Sequence, residues 1–218
     1  MPGRPRFNPS LLPVSPNFEY ELALWRVGLQ RVAGIDEAGR GALAGPVAAA
    51  VVVFPPDYDL SSALLGVDDS KRLAPAAREF WRDRIKRIAL GWGVGLAEND
   101  EIDSIGIVAA TDLAIQRALG QLPWRPEHLL IDYINLPGNP LPQTPLVKGD
   151  RRSLSIAAAS IVAKTTRDEL LRKLDDLYPG YAFASHKGYG TAAHLQALQR
   201  LGPSPVHRLS FRHKIVQR

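Results

Sequence analysis

An α/β fold built on a five-stranded mixed sheet flanked by helices is predicted by three observations. Residues 47–54 read VAAAVVVF, an apolar run too continuous for a strand with one face in water, so a buried central strand is expected. Two further apolar runs, 31–36 and 129–132, each end in a carboxylate, at Asp36 and Asp132. Segments with helical spacing alternate with these runs over the rest of the chain, which is the pattern of helices layered on a sheet.

Taken in order, residues 1–17 are rich in proline and read as a flexible arm, and residues 18–218 as one folded domain. Phe18 to Arg26 fits a short helix. Arg31 to Asp36 is the first strand and Val47 to Phe54 the second, ended by Pro55-Pro56. A polar loop over 57–74 contains Asp68-Asp69-Ser70-Lys71. Pro75 suits a first helical turn, where its missing N–H is least needed, and Trp81, Ile85 and Ile88 follow at helical spacing. Trp92 to Ala97 is the third strand, Gly106 to Leu119 a helix, and Leu129 to Asp132 the fourth strand. A proline-rich loop covers 137–145, and Leu146 to Lys148 is read as a short fifth strand. Ser155 to Leu177 is the longest helical pattern, opened by a serine cap and closed before Pro179-Gly180. Thr191 to Leu201 is the last helix, and the tail from Pro203 is basic and irregular.

Lys and Arg total 27 against 22 for Asp and Glu, a net charge of +5 with a pI near 9.6, which favours polyanionic partners. There is no cysteine, so disulfides and thiolate metal sites are excluded. No apolar stretch has the length of a membrane span and the N-terminus lacks an apolar signal core, so a cytoplasmic protein with no membrane contact is expected. Monomer is the default.

The acidic residues carry the chemistry. Asp36 and Glu37 end the first strand, Asp132 ends the fourth, and Asp168 lies in the long helix. Strand ends on one edge of a sheet converge, and carboxylates sharing a cleft repel one another unless cations intervene. With neither thiolates nor histidine pairs at zinc spacing, Mg²⁺ or Mn²⁺ is the expected cofactor. Two such ions about 4 Å apart can ready a water and stabilise the leaving oxygen of a phosphodiester. An alternative for Asp168 is a solvated helix carboxylate paired with Lys164 or Arg172, each four residues away; for Asp132 alone, capping of a turn is the alternative.

Other residues suit a nucleic acid. Gly39-Arg40-Gly41 offers main-chain groups to a ribose 2′-OH, the group that separates RNA from DNA. Lys148 begins a basic cluster, Lys148-Gly149-Asp150-Arg151-Arg152, suited to backbone phosphates. Tyr189 stands between Gly188 and Gly190 and can stack on a sugar or base. His207, Arg208, Arg212, His213 and Lys214 add positive charge near the end. Gly39-x-Gly41-x-x-Ala44 also matches a dinucleotide fingerprint loosely, but two preceding carboxylates oppose a pyrophosphate and Pro46 disfavours the required helix.

Together these motifs resemble ribonuclease HII, the type 2 ribonuclease H family, over residues 31–213. The landmarks run in order: GIDEAGRGALAGPV, DDSKRL, EIDSIGI with ATDLAI, LLIDY, VKGDRRSLSIAAASIVAKTTRD, SHKGYGT and PVHRLSF. The resemblance implies a ribonuclease H-like fold with a small C-terminal helical extension at about 178–218. It implies cleavage of RNA in RNA–DNA hybrids and at single ribonucleotides in duplex DNA, leaving 5′-phosphate and 3′-hydroxyl ends. By motif, Asp36, Glu37, Asp132 and Asp168 are similar to the catalytic, metal-binding carboxylates. Gly39, Arg40 and Gly41 resemble the loop that reads the 2′-OH, Tyr189 the tyrosine that stacks on the next deoxyribose, and Lys148 and Lys164 residues near the phosphates. The family carries glycine and asparagine after the LLID aspartate; Tyr133 and Ile134 stand here, so a different local turn is expected. The rival readings are another metal nuclease of the same broad fold, such as a junction resolvase, and a non-catalytic nucleic-acid-binding module.

Overall fold

Strand β2, Val47–Val53, is buried at every position, as its unbroken apolar run requires. It lies inside a five-stranded sheet of order β3-β2-β1-β4-β5, with β1 at Val32–Ala38, β3 at Gly91–Ala97, β4 at His128–Asp132 and β5 at Gln143–Leu146. β1 and β4 run parallel, as do β4 and β5. The eight residues joining β1 to β2 are too few for a parallel crossover, which makes the sheet mixed. The computed structural model describes residues 7–57 and 59–211, without the Leu11 side chain. Residues 1–6 of the expected arm, and Arg212, His213 and Lys214 of the basic tail, lie outside the described residues. Among the described residues no helix is long and apolar enough to cross a membrane.

Two elements differ from the sequence expectation. β5 precedes Val147 and Lys148 and contains Pro145. It is an edge strand that pairs through carbonyls, which proline retains: Pro142 O accepts from Leu129 N (2.9 Å) and Leu146 O from Tyr133 N (2.9 Å). The helix expected from Gly106 starts earlier. Helix α4 spans Asn99–Leu119 and is opened by a capping box between Glu98 and Glu101, while Gly106, at φ 80°, kinks it. The remaining helices are α1 (Glu19–Arg26), α2 (Leu60–Ala63), α3 (Pro75–Ile88), α5 (Leu154–Leu177), α6 (Phe183–His186) and α7 (Ala192–Leu201). The cap near the start of α5 is Ser153, whose Oγ accepts from Ile156 N at 3.2 Å.

The chain groups into two compact units. One comprises Met1–Asp36, Val52–Gly91 and Trp124–Ile161; the other Glu37–Val51, Trp92–Pro123 and Val162–Arg218. In the first, Phe18 packs against Trp25 and Phe54 with ring centroids 5.3 and 5.6 Å apart. Gly34 of β1 lies directly on α5, where an added Cβ would fall 2.2 Å from the Ser155 carbonyl carbon.

In the second unit, β3 packs on α4 through Gly95, where a Cβ would meet Ala114 O at 2.0 Å. Three buried histidines tie the 181–189 segment to 204–207. His194 Nδ1–H donates to Tyr189 O (3.0 Å) and His186 Nε2–H to Tyr181 O (2.7 Å). His207 Nδ1 accepts from Ser204 N (2.9 Å), which leaves its Nε2–H to donate to His194 Nε2 (3.0 Å). The arrangement needs each ring neutral. Burial pushes His194 and His207 down to about 4 from 6.5, with the neighbouring His186 adding to the effect.

Two predictions follow from this packing. Gly95→Ala should cost about 1–3 kcal/mol or more by overpacking backbone that cannot yield, read as a lower denaturant midpoint. Between pH about 6.5 and about 4 the unfolded chain binds protons that His194 and His207 refuse when folded. Their contribution to stability is therefore complete above pH about 6.5 and is lost progressively as pH falls towards about 4. Urea midpoints measured across this range should fall with acid, and His207→Asn, whose Oδ1 can still accept from Ser204 N, should flatten the slope.

Candidate metal centre and nucleic-acid loop

The register of β1 against β4 pairs Ile35 with Ile131, so the next residues, Asp36 and Asp132, emerge at one level of the sheet. Asp132 also stands opposite Leu146 of β5, and the chain beyond β5 turns back through a 3-10 turn, Gly149–Arg151. Asp132 Oδ1 accepts from Gly149 N at 2.7 Å and thereby fixes that turn. Gly149 packs closely there: a Cβ would lie 2.7 Å from the tip of the Ile156 side chain and 3.2 Å from Leu146 Cβ, so a larger residue would have to displace the isoleucine tip. The next residue, Asp150, is buried beside the two strand-end aspartates. Asp36, Asp132 and Asp150 each offer an oxygen, and these oxygens all lie within 4.8 Å of one another.

The three carboxylates oppose each other's ionisation. Burial pushes Asp150 up to about 6, and the charges of Asp132 and Asp69 add to the rise. The opposing contribution comes from Lys71, whose Nζ lies 3.4 Å from Asp150 and 3.8 Å from Asp69. Burial lowers the Lys71 pKa, but Asp69, Asp150 and Asp36 outweigh it and leave the ammonium firmly protonated. Ser70 anchors this loop through a 2.9 Å hydrogen bond to Ser160. The donor set is hard oxygen only, which fits Mg²⁺ or Mn²⁺.

Of the expected carboxylates, Asp36 and Asp132 meet in this group. Asp168 does not belong to it: it accepts from Lys164 Nζ at 2.7 Å within α5, the alternative pairing that the four-residue spacing allowed. Glu37 lies next along β1 and accepts from Arg40 at 3.3 Å. The residue missed from sequence is Asp150. It sits among Lys148, Arg151 and Arg152 and reads as an interruption of a basic cluster; only its place just beyond a strand end hints at a ligand. Lys71 gave no signal beyond its position in DDSK. Lys148 is exposed at the start of the 3-10 turn with φ 54°. Tyr133 takes φ 61°, the left-handed conformation glycine prefers, so the chain keeps a glycine-type turn with a tyrosine in it.

The second unit holds the Gly39-Arg40-Gly41 loop on two buried arginines. Arg167 donates to Pro46 O (2.9 Å), Ala44 O (3.0 Å) and Lys187 O (2.9 Å). Arg208 donates to Gly45 O (2.9 Å) and Arg40 O (3.0 Å). Burial pulls Arg208 down to about 9, with Arg167 adding to the shift. Gly39, at φ 91°, has no room for a side chain, since a Cβ would lie 2.0 Å from Arg167 Nε. Gly41 is different: a Cβ there would meet nothing within 4 Å, and its φ is not positive. The Tyr189 ring lies over the Arg167 guanidinium at 5.5 Å and near Lys164 Nζ at 5.9 Å, and is partly exposed.

Comparison with known proteins agrees with the motifs. The family model described as Ribonuclease HII matches residues 33–214. Ribonuclease HII of Synechococcus sp. (strain JA-3-3Ab) is 54% identical over 198 residues, covering 91% of this chain and 89% of that protein. Ribonuclease HII of Moorella thermoacetica is 50% identical over 196 residues, covering 90% and 93%. The crystal structure of ribonuclease H2 from Pyrococcus horikoshii OT3 is similar with a TM-score of 0.68 at 28% identity, over 85% of this chain and 96% of that one. A ribonuclease H-like sheet, a strand-end carboxylate cluster and this match together establish that the chain belongs to the ribonuclease HII family, hydrolases that cut the RNA of RNA–DNA hybrids.

Proposed function

We propose that the chain cleaves hybrids, and also duplex DNA at a single embedded ribonucleotide, with divalent ions held by Asp36, Asp132 and Asp150. The observation that carries this reading is the approach of three carboxylate oxygens within 4.8 Å of one another. Asp150 takes the place that the sequence reading gave to Asp168, while Glu37 remains a ligand on the strength of its motif. Bound Mg²⁺ or Mn²⁺ would neutralise the carboxylates, acidify a water aimed at phosphorus and stabilise the departing 3′-oxygen.

The protein's own residues do the rest. Asp132 orders the turn that carries Asp150, and Lys71 tempers the negative charge of the pocket. Selection of a ribonucleotide falls to Gly39-Arg40-Gly41. Gly41 lacks a side chain for no reason of packing or backbone angle, which supports close approach of a sugar to its main chain. Tyr189, stiffened by Arg167, offers a ring for stacking on the adjoining deoxyribose, and Lys148 and Lys164 are assigned to flanking phosphates. Because the 2′-OH is read rather than used in attack, the products carry 5′-phosphate and 3′-hydroxyl ends.

The reading is tested on a duplex with one embedded ribonucleotide, alongside a long hybrid and plain DNA. Cleavage should occur beside the ribonucleotide with Mg²⁺ or Mn²⁺, stop with chelator, and spare plain DNA; equal cutting of plain DNA would point to a nuclease of another specificity. Asp36→Asn and Asp150→Asn should each lower kcat by about a thousandfold or more while duplex binding persists, a loss of roughly 4 kcal/mol in the barrier. Asp168→Asn should retain activity within about tenfold. If the last two variants exchange these behaviours, Asp168 and not Asp150 is the fourth carboxylate.

A further inference from the structure

The amino-terminal segment lies ahead of residues 33–214, the span matched by the family, yet it contacts the residues that directly follow the turn carrying Asp150. Glu21 of α1 is buried, and its Oε1 accepts from Ser153 Oγ (2.6 Å), Ser155 Oγ (2.5 Å) and Ser155 N (3.0 Å). Asn17 adds a two-way backbone bridge: its N–H donates to Arg152 O (3.2 Å), and its carbonyl accepts from Leu154 N (2.9 Å). Arg152 also hydrogen-bonds Tyr20. The segment 152–155 is thus held by α1 and by Asn17 just before it.

What that segment carries explains why the grip matters. Ser153 N donates to Gly149 O at 2.9 Å and so closes the turn in which Asp150 sits. Ser155 presses on Gly34, where a Cβ would clash with it at 2.2–2.5 Å, and Gly34 lies two residues before Asp36. One glutamate therefore bears on both strands of support for the cluster: through Ser153 on Asp150, and through Ser155 on β1 and Asp36. A buried carboxylate costs free energy that a mere packing role would not require, and burial indeed pushes the Glu21 pKa up against its hydrogen bonds.

We infer that Glu21 is a positioning residue for the metal centre, setting the spacing of Asp36 and Asp150 through Ser153 and Ser155. The inference rests on the reading of those aspartates as ion ligands. Partners outside a ligand shell commonly control metal affinity by ten- to a hundredfold.

Mn²⁺ binding to the full chain, followed by electron paramagnetic resonance of the free ion, is the test. Glu21→Ala should bind Mn²⁺ about tenfold more weakly than the parent, with its circular dichroism unchanged. Glu21→Gln keeps the accepting Oε1 and replaces Oε2, which has no protein partner among the described residues, so it should restore the parent affinity. A folded Glu21→Ala chain with parent affinity overturns the inference. If that variant does not fold, Ser153→Ala decides: an affinity about threefold weaker supports it, and an unchanged one overturns it. Asp150→Asn separates the two layers, because binding that survives this change, or no binding by the parent, defeats the reading of the site itself.

Discussion

Mutual repulsion among Asp36, Asp132 and Asp150 is the constraint around which the first unit is arranged. Three oxygens within 4.8 Å of one another cannot all be ionised cheaply in a buried place. The fold meets this by rigidity. Parallel pairing of β1 and β4 fixes two of the carboxylates at one level, and an N–H from Gly149 takes up one oxygen of Asp132. Lys71 supplies a positive charge from a loop otherwise remote in sequence. Each device holds the acids where they are least comfortable, which is where a divalent ion gains most by binding.

The second unit solves a different problem, that of fixing a loop whose carbonyls have no partners in a sheet or helix. Its instrument is the buried guanidinium. Arg167 and Arg208 between them engage five main-chain carbonyls, most of them in the chain from Arg40 to Pro46. A planar group with several fixed donors suits this work better than a lysine ammonium would. The histidine trio does the same for the segment bearing Tyr189, with neutral rings in place of charge.

Much of this was legible in the chain. β2 was readable because a strand covered on both faces needs no polar alternation, and the strand ends were marked by Asp36 and Asp132. β5 was not, because Pro142 and Pro145 look like loop residues until the strand is seen to pair through carbonyls at an edge. The start of α4 was hidden by Gly106, which reads as a beginning and is instead a kink. Asp150 was masked by its basic neighbours, since charge patterning describes surfaces and this residue is buried. Arg208 read only as positive charge near the end and Arg167 drew no reading, since nothing local announces a guanidinium that will be enclosed by main chain. Asp168 lies inside a specific motif and also pairs with Lys164 along one helix, the two readings that its sequence allowed.

Tyr133 holds a conformation that a Cβ makes unfavourable by about 1 kcal/mol or more, and the residue is 61% exposed, so burial returns little of that cost. The chain absorbs the strain and still presents Asp132 in register. Position 133 is therefore governed by backbone tolerance and its neighbour by chemistry. Exchange of Tyr133 for glycine should relieve backbone strain and leave the carboxylate where it is, a gain in stability with no change of ligand.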